Sequence, residues 1–188
     1  MKRLMAMIAL LLAVGLSMAC ASTTPRSHGH GSCALPVFGP GAAYHPTIHP
    51  AQFGPNVDNP WYPLKPGTTF VNAGTADDGK AIDVFAPSSK TRVIDGVRTR
   101  VVNDRLYLNG VLHERTSDYY AQDRCGNVWY FGEDTATLDA QGRVVSRDGS
   151  FHAGVGGRSP GSSCRRGPSL AACSGRSGPP ARQRTCSR

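Results

Sequence analysis

Acidic side chains are missing from both ends of this chain: residues 1–50 and 158–188 contain no Asp or Glu, and all 13 acids lie between them. That absence localises the formal charge of +8. The first segment carries Lys2, Arg3 and Arg26, and the last carries seven Arg. Residues 51–157 hold 11 basic against 13 acidic side chains, so the stretch best suited to folding is almost neutral. A basic pI therefore gives no warrant for a nucleic-acid partner. Other things are scarce as well. No H-E-x-x-H pair, complete Walker loop or Cys-x-x-Cys knuckle occurs, and no nucleophile elbow is expected, which removes the commonest motif-bearing enzyme classes. No coiled coil or repeat array is present, and 22 Gly with 14 Pro favour many turns over long helices.

One long apolar run exists. Lys2 and Arg3 precede Leu4 to Leu16, followed by small residues around Ala19 and Ala21, the three-part layout of a secretory signal peptide over residues 1–21. Two processing routes compete there. Ala19-Cys20-Ala21 fits cleavage after Ala21, whereas Leu16-Ser17-Met18-Ala19-Cys20 reads as a lipobox with Cys20 as the acylated N-terminus. Lipidation at Cys20 is the expectation, since a Cys between the apolar run and a polar tether is what an acyl anchor needs, and several chains anchor stably where one is marginal. The uncharged stretch is also long enough to be an uncleaved anchor. With no second apolar span, the expected location is outside the cytoplasm, secreted or membrane-anchored by lipid.

Residues 22–52 are rich in Ser, Thr, Pro, Gly and Ala and read as a flexible tether. They contain His28, His30, His45, His49 and Cys33, which have the chemistry of zinc or copper ligands but no spacing that gives them a common face. The expectation is no metal and no cofactor. Cys33 and Cys125 are left as a plausible disulfide once Cys20 is assigned to processing and Cys164, Cys173 and Cys186 to the terminal tail.

From Thr68 to Ser150 the dominant pattern is β-branched and aromatic runs separated by Asp78-Gly79, Asp95-Gly96, Asn109-Gly110 and Asp148-Gly149, with Gln141-Gly142 a fifth turn. This spacing predicts a mainly β domain over residues 53–157, an antiparallel meander forming a curved sheet or partial barrel. In Val128-Trp129-Tyr130-Phe131 both parities are apolar, which marks a central strand with Trp129 and Phe131 on one face and Val128 and Tyr130 on the other. The proline-rich segment 58–67 cannot be a ladder strand and is expected to lay Trp61 and Leu64 over the open end of the sheet.

Two site readings follow. Trp61, Tyr119, Tyr120, Trp129 and Tyr130 could line a groove for sugars or acyl chains, or form the core of a small β domain. Asp118, Asp123, Glu133 and Asp134 could converge at one hairpin end as an acid/base pair or calcium site; solvated strand-end carboxylates are the plainer reading. His113 and His152 stand isolated and read as surface or structural residues. The leading expectation is a non-enzymatic binder of an envelope ligand or protein. A secreted hydrolase and a purely structural surface protein are the alternatives.

The blocks DNPWYPLKPGTTF (58–70), VIDGVRTRVV (93–102), DYYAQDRCGNVWYFGE (118–133) and GSFHAGV (149–155) resemble a family of uncharacterised exported bacterial proteins and lipoproteins. The resemblance implies export and brings no catalytic residues with it. More loosely, the entry into the meander is similar to that of envelope lipoproteins with half-barrel sheets. Residues 158–188, with seven Arg, seven Ser and Leu170 as the one large aliphatic, cannot bury a core of their own. They read as a disordered tail, of the composition an out-of-frame translation of a GC-rich gene yields, so the sheet is expected to be C-terminally incomplete.

Overall fold

The computed structural model describes residues 44–76 and 79–164. Within them the chain is an antiparallel sheet of nine strands: β1 (Phe53–Gly54), β2 (Phe70–Ala76), β3 (Gly79–Ile94), β4 (Val97–Leu108), β5 (Val111–Asp123), β6 (Val128–Leu138), β7 (Val144–Ser146), β8 (Phe151–His152) and β9 (Gly161–Cys164). Strands β2 to β7 follow one another in space, and the sheet does not close into a barrel. Turn chemistry sets this order. Asp95-Gly96 and Asn109-Gly110 both have two successive residues at positive φ, the geometry of a two-residue hairpin whose twist matches that of its strands. Pro87, which has no N–H to donate, sits where the β3–β4 register shifts before resuming at Thr91.

Strand β6 is the centre of the sheet. β5 runs along one side of it, while β7, β8 and β9 pair in succession along the other. Its alternating side chains feed two cores. Val128 joins Val57, Leu64, Phe85, Val102, Tyr120 and Cys164 on one face, with Tyr62 and Tyr130 packed against them. Trp129 and Phe131 join Ile94, Val97, Tyr119, Ala121 and Ala153 on the other, with Ile48 and Phe53 alongside. Phe53 meets both rings edge-on, at 5.8 Å from Trp129 and 5.4 Å from Phe131.

The structure differs from the sequence expectations at three places. Leu64 is 2% exposed and closes one core, but Trp61 is 43% exposed; its neighbour Tyr62 takes the inward position instead. The reason is Asn59, whose buried Oδ1 accepts from the N–H groups of Trp61 and Tyr62 and so fixes a tight turn that sends Trp61 outward. The tether reading does not extend to Gln52: Ile48 packs on the second core, Pro50–Gln52 forms a 3-10 turn, and Tyr44 donates from its hydroxyl to the carbonyl of Pro160. Burial pushes the Tyr44 phenol up to about 12 although the Ser162 backbone hydrogen bond opposes it.

The third difference concerns the tail. Residues 158–164 do not behave as disordered: Gly161–Cys164 pairs with β6, and the Cys164 thiol is buried in the first core. A strand filling an edge needs backbone groups more than large side chains, so Gly161-Ser162-Ser163 suffices. A chain ending after Cys164 should exceed one ending after Gly157 in stability by about 2 kcal/mol or more, from restored ladder bonds and burial. Equal urea midpoints for the two would show that β9 contributes nothing.

Candidate functional site

The register of β4, β5, β6 and β8 places four polar side chains together on the face of the second core. Tyr119 lies opposite Val101 on β4 and opposite Gly132 on β6, and Gly132 lies opposite His152 on β8. Asp134 is two residues along β6 from Gly132 and therefore on the same face. Gly132 is what lets β8 come close: at φ +140°, a Cβ there would collide with the Phe151 carbonyl oxygen and stand 2.9 Å from His152 Cα. Arg92 enters from β3, opposite Thr99, after the irregularity that follows Pro87.

Asp134 is the hub of the four. Its Oδ2 accepts from Arg92 Nη1 at 2.5 Å and from the Tyr119 hydroxyl at 2.6 Å, and its Oδ1 lies 2.9 Å from His152 Nε2. Arg92 Nη1 also donates to the Tyr119 hydroxyl at 2.7 Å, with the guanidinium carbon 5.0 Å from the centre of that ring. The His152 ring meets Tyr119 edge-on at 5.6 Å. Burial works against the Asp134 charge, but the Tyr119 hydrogen bond and the Arg92 cation outweigh it, so the carboxyl titrates below its ordinary range. Burial first, then the bond to Asp134, pushes the Tyr119 phenol up to about 12, which keeps it protonated as a donor.

In this arrangement both oxygens of Asp134 and both roles of the Tyr119 hydroxyl are engaged. Arg92 Nε and Nη2 and His152 Nδ1 have no hydrogen-bond partner among the described residues, and Arg92 remains 45% exposed. No family model matches this chain. Comparison with curated proteins and with solved structures likewise finds no match.

The four carboxylates singled out from the sequence do not converge at one place; only Asp118 and Glu133 are neighbours. Asp123 is turned into the β5–β6 connection, where Oδ1 accepts from the N–H groups of Cys125 and Asn127 and Oδ2 from Asn127 Nδ2 and Trp129 Nε1. Asp118 and Glu133 are cross-strand neighbours on the opposite face from Asp134. Asp118 accepts from the Tyr130 hydroxyl at 2.7 Å. Burial, with the Asp118 charge next, pushes that phenol well above its ordinary value.

The five aromatics divide in the same way. Tyr120 and Tyr130 stack at 4.9 Å on one face, Tyr119 and Trp129 belong to the other, and Trp61 faces solvent, so the five rings line no common groove. Cys20, His28, His30 and Cys33 lie outside the described residues. Cys125 is disulfide-bonded. Among the described residues no three His, Cys, Asp or Glu side chains gather to hold a metal ion.

Sequence reasoning missed Arg92 and read His152 as an isolated surface or structural residue. Pairing His152 with Asp134 depends on β8 joining β6 across Gly132, a long-range register that no local pattern announces. Also passed over was Gly157-Arg158-Ser159-Pro160-Gly161, which spells G-x-S-x-G. It runs into the short strand β9 and not through a strand-to-helix turn, so Ser159 is not presented as an elbow nucleophile.

The depressed Asp134 carboxyl has a consequence for stability. A carboxyl whose folded pKa lies below its unfolded value stabilises the fold above the unfolded pKa, and that contribution is lost as pH falls through the folded pKa. Wild-type stability should therefore decline below about pH 4 more steeply than that of Asp134→Asn. Parallel slopes in urea titrations of the two proteins across pH 2–5 would remove Asp134 from the account.

Proposed function

We propose that the chain is an exported envelope protein, anchored through an acylated Cys20, whose β domain binds a ligand or partner without chemical turnover. The observation that carries this reading is the division of the carboxylates. Asp118 and Glu133 lie opposite each other on one face of the sheet, but Asp118 is buried and accepts from the Tyr130 hydroxyl. Asp134 lies on the other face and Asp123 within a turn, so the four do not converge on one cleft. Hydrolysis by two carboxyls needs both across one cleft. The cluster of Arg92, Tyr119, Asp134 and His152 instead holds a cation in a fixed pose with part of its donor set open, which suits recognition.

Native mass spectrometry of the protein purified from its membrane fraction should reveal a co-purified small molecule, and peptide mapping should find Cys20 acylated. An unmodified N-terminus at Ser22 would overturn the anchoring. The second reading, a hydrolase, is favoured by one feature, the imidazole of His152 oriented by a carboxylate. Turnover of ester or glycoside substrates that disappears in His152→Ala and in Asp134→Asn would establish it against binding alone.

A further inference from the structure

We infer that the ligand held at the Arg92 cluster is anchored by an oxyanion, a phosphate or carboxylate group, received by the Nε/Nη2 edge of Arg92. The inference rests on the binding reading above and names the chemistry of the ligand. Its first support is the way Arg92 is used. Both hydrogen-bond partners of the guanidinium among the described residues, the Tyr119 hydroxyl and Asp134 Oδ2, engage Nη1. That leaves the side edge of the fork, two nearly parallel N–H groups with the spacing of two oxygens on one carboxylate or phosphate. Stacking over Tyr119 and pairing with Asp134 hold the group in place, so little side-chain entropy is lost when a ligand arrives.

The second support is the charge of the surrounding face. From Tyr119 the same face of β5 continues through Ser117 to Arg115, and the matching face of β4 runs from Val101 through Asn103 to Arg105. Arg105 and Arg115 stand directly opposite one another, an arrangement that repels. Arg105 Nη1 donates only to the backbone carbonyls of Asp104 and Thr116, and among the described residues no carboxylate forms an ion pair with either arginine. Asp104 and Glu114, the nearest acids in sequence, are one residue out of phase and fall on the other face. Three arginines against the single Asp134 thus give one face of a nearly neutral domain a local positive field, extending about 13 Å from Tyr119 to Arg115 at strand rise.

The test follows the arginine Nε–H signals of the full chain by NMR. The protein is titrated with inorganic phosphate and with acetate, at ionic strength held constant with chloride, and separately with phosphatidylglycerol or phosphatidylcholine vesicles. Arg92 Nε–H should shift saturably while Arg143, which is paired with Asp139 on the surface, should not. Arg92→Lys keeps the charge but loses the fork, and should weaken the response about tenfold. Arg143→Lys should leave it unchanged.

A response to phosphate or acetate in free solution would identify a small-molecule source, and a response confined to phosphatidylglycerol vesicles a lipid headgroup; both sustain the oxyanion. Equal shifts at Arg92 and Arg143, or an Arg92→Lys protein that titrates like wild type, would overturn it. If a neutral molecule co-purifies and binds through His152 while Arg92 ignores every anion, binding survives and the oxyanion does not. Arg92→Gln, with its amide spectrum compared to wild type, separates loss of the site from loss of the fold.

Discussion

Phe131→Ala is expected to destabilise the domain by about 3–5 kcal/mol, a large part of what a domain of this size possesses. Phe131 is among the largest fully buried side chains and lies on the strand that every C-terminal segment joins. Truncation removes its edge-on contact with Phe53 and leaves a cavity in the core of Ile94, Val97, Tyr119, Ala121, Trp129 and Ala153. Conservative Phe131→Leu keeps most of the volume and should cost less than half as much. Urea unfolding followed by Trp fluorescence measures both. A loss under about 1 kcal/mol for the alanine variant would mean that the second core is not packed as described.

The second large effect concerns a polar residue. Asp123→Ala removes an acceptor for four donors at once: the N–H groups of Cys125 and Asn127, the Asn127 amide and the Trp129 indole. Trp129 and Asn127 are buried, so water cannot fully replace the carboxylate. With charge-assisted bonds contributing more than neutral ones, the expected cost is about 3 kcal/mol or more. Asp123→Asn is the sharper probe because it preserves shape. Its amide would turn an N–H toward the donors that Oδ2 now receives, so it should recover only part of the loss. The same substitutions should shift Trp129 emission in the folded protein, and unchanged emission with unchanged stability would assign Asp123 no structural role.

Both residues illustrate how far the sequence could be read. Local turn chemistry announced the meander: Asp95-Gly96 and Asn109-Gly110 are two-residue hairpin turns, and the run between them is β4. The double apolar parity of Val128 to Phe131 placed that strand at the centre, with cores on both faces. What stayed hidden depends on distance along the chain. Asp123 looked like a candidate acid because a carboxylate that caps a turn and one that does chemistry are the same letter. Arg92 and His152 come together only through strands 60 residues apart in number, by way of Asp134 and a glycine that lets β8 approach. Trp61 was expected, with Leu64, to lie over the open end of the sheet because the proline-rich segment cannot be a ladder strand, whereas Asn59 dictates the turn and faces Trp61 outward.

The position of β6 also governs when this chain can finish folding. Hairpins β2–β3, β3–β4 and β4–β5 close over short loops and need nothing that comes later in synthesis. β6 is different, for its far edge is completed in three instalments, the last pairing Val128 with Cys164. Closure of such distant pairs is the slow step of a sheet. Until residue 164 has emerged, a nascent chain carries the Val128–Tyr130 end of its most apolar strand bare on one side, the condition under which unpaired edges find other molecules. The residues of β9, small as they are, therefore time the passage from an association-prone intermediate to a sheet in which β6 is paired along both sides.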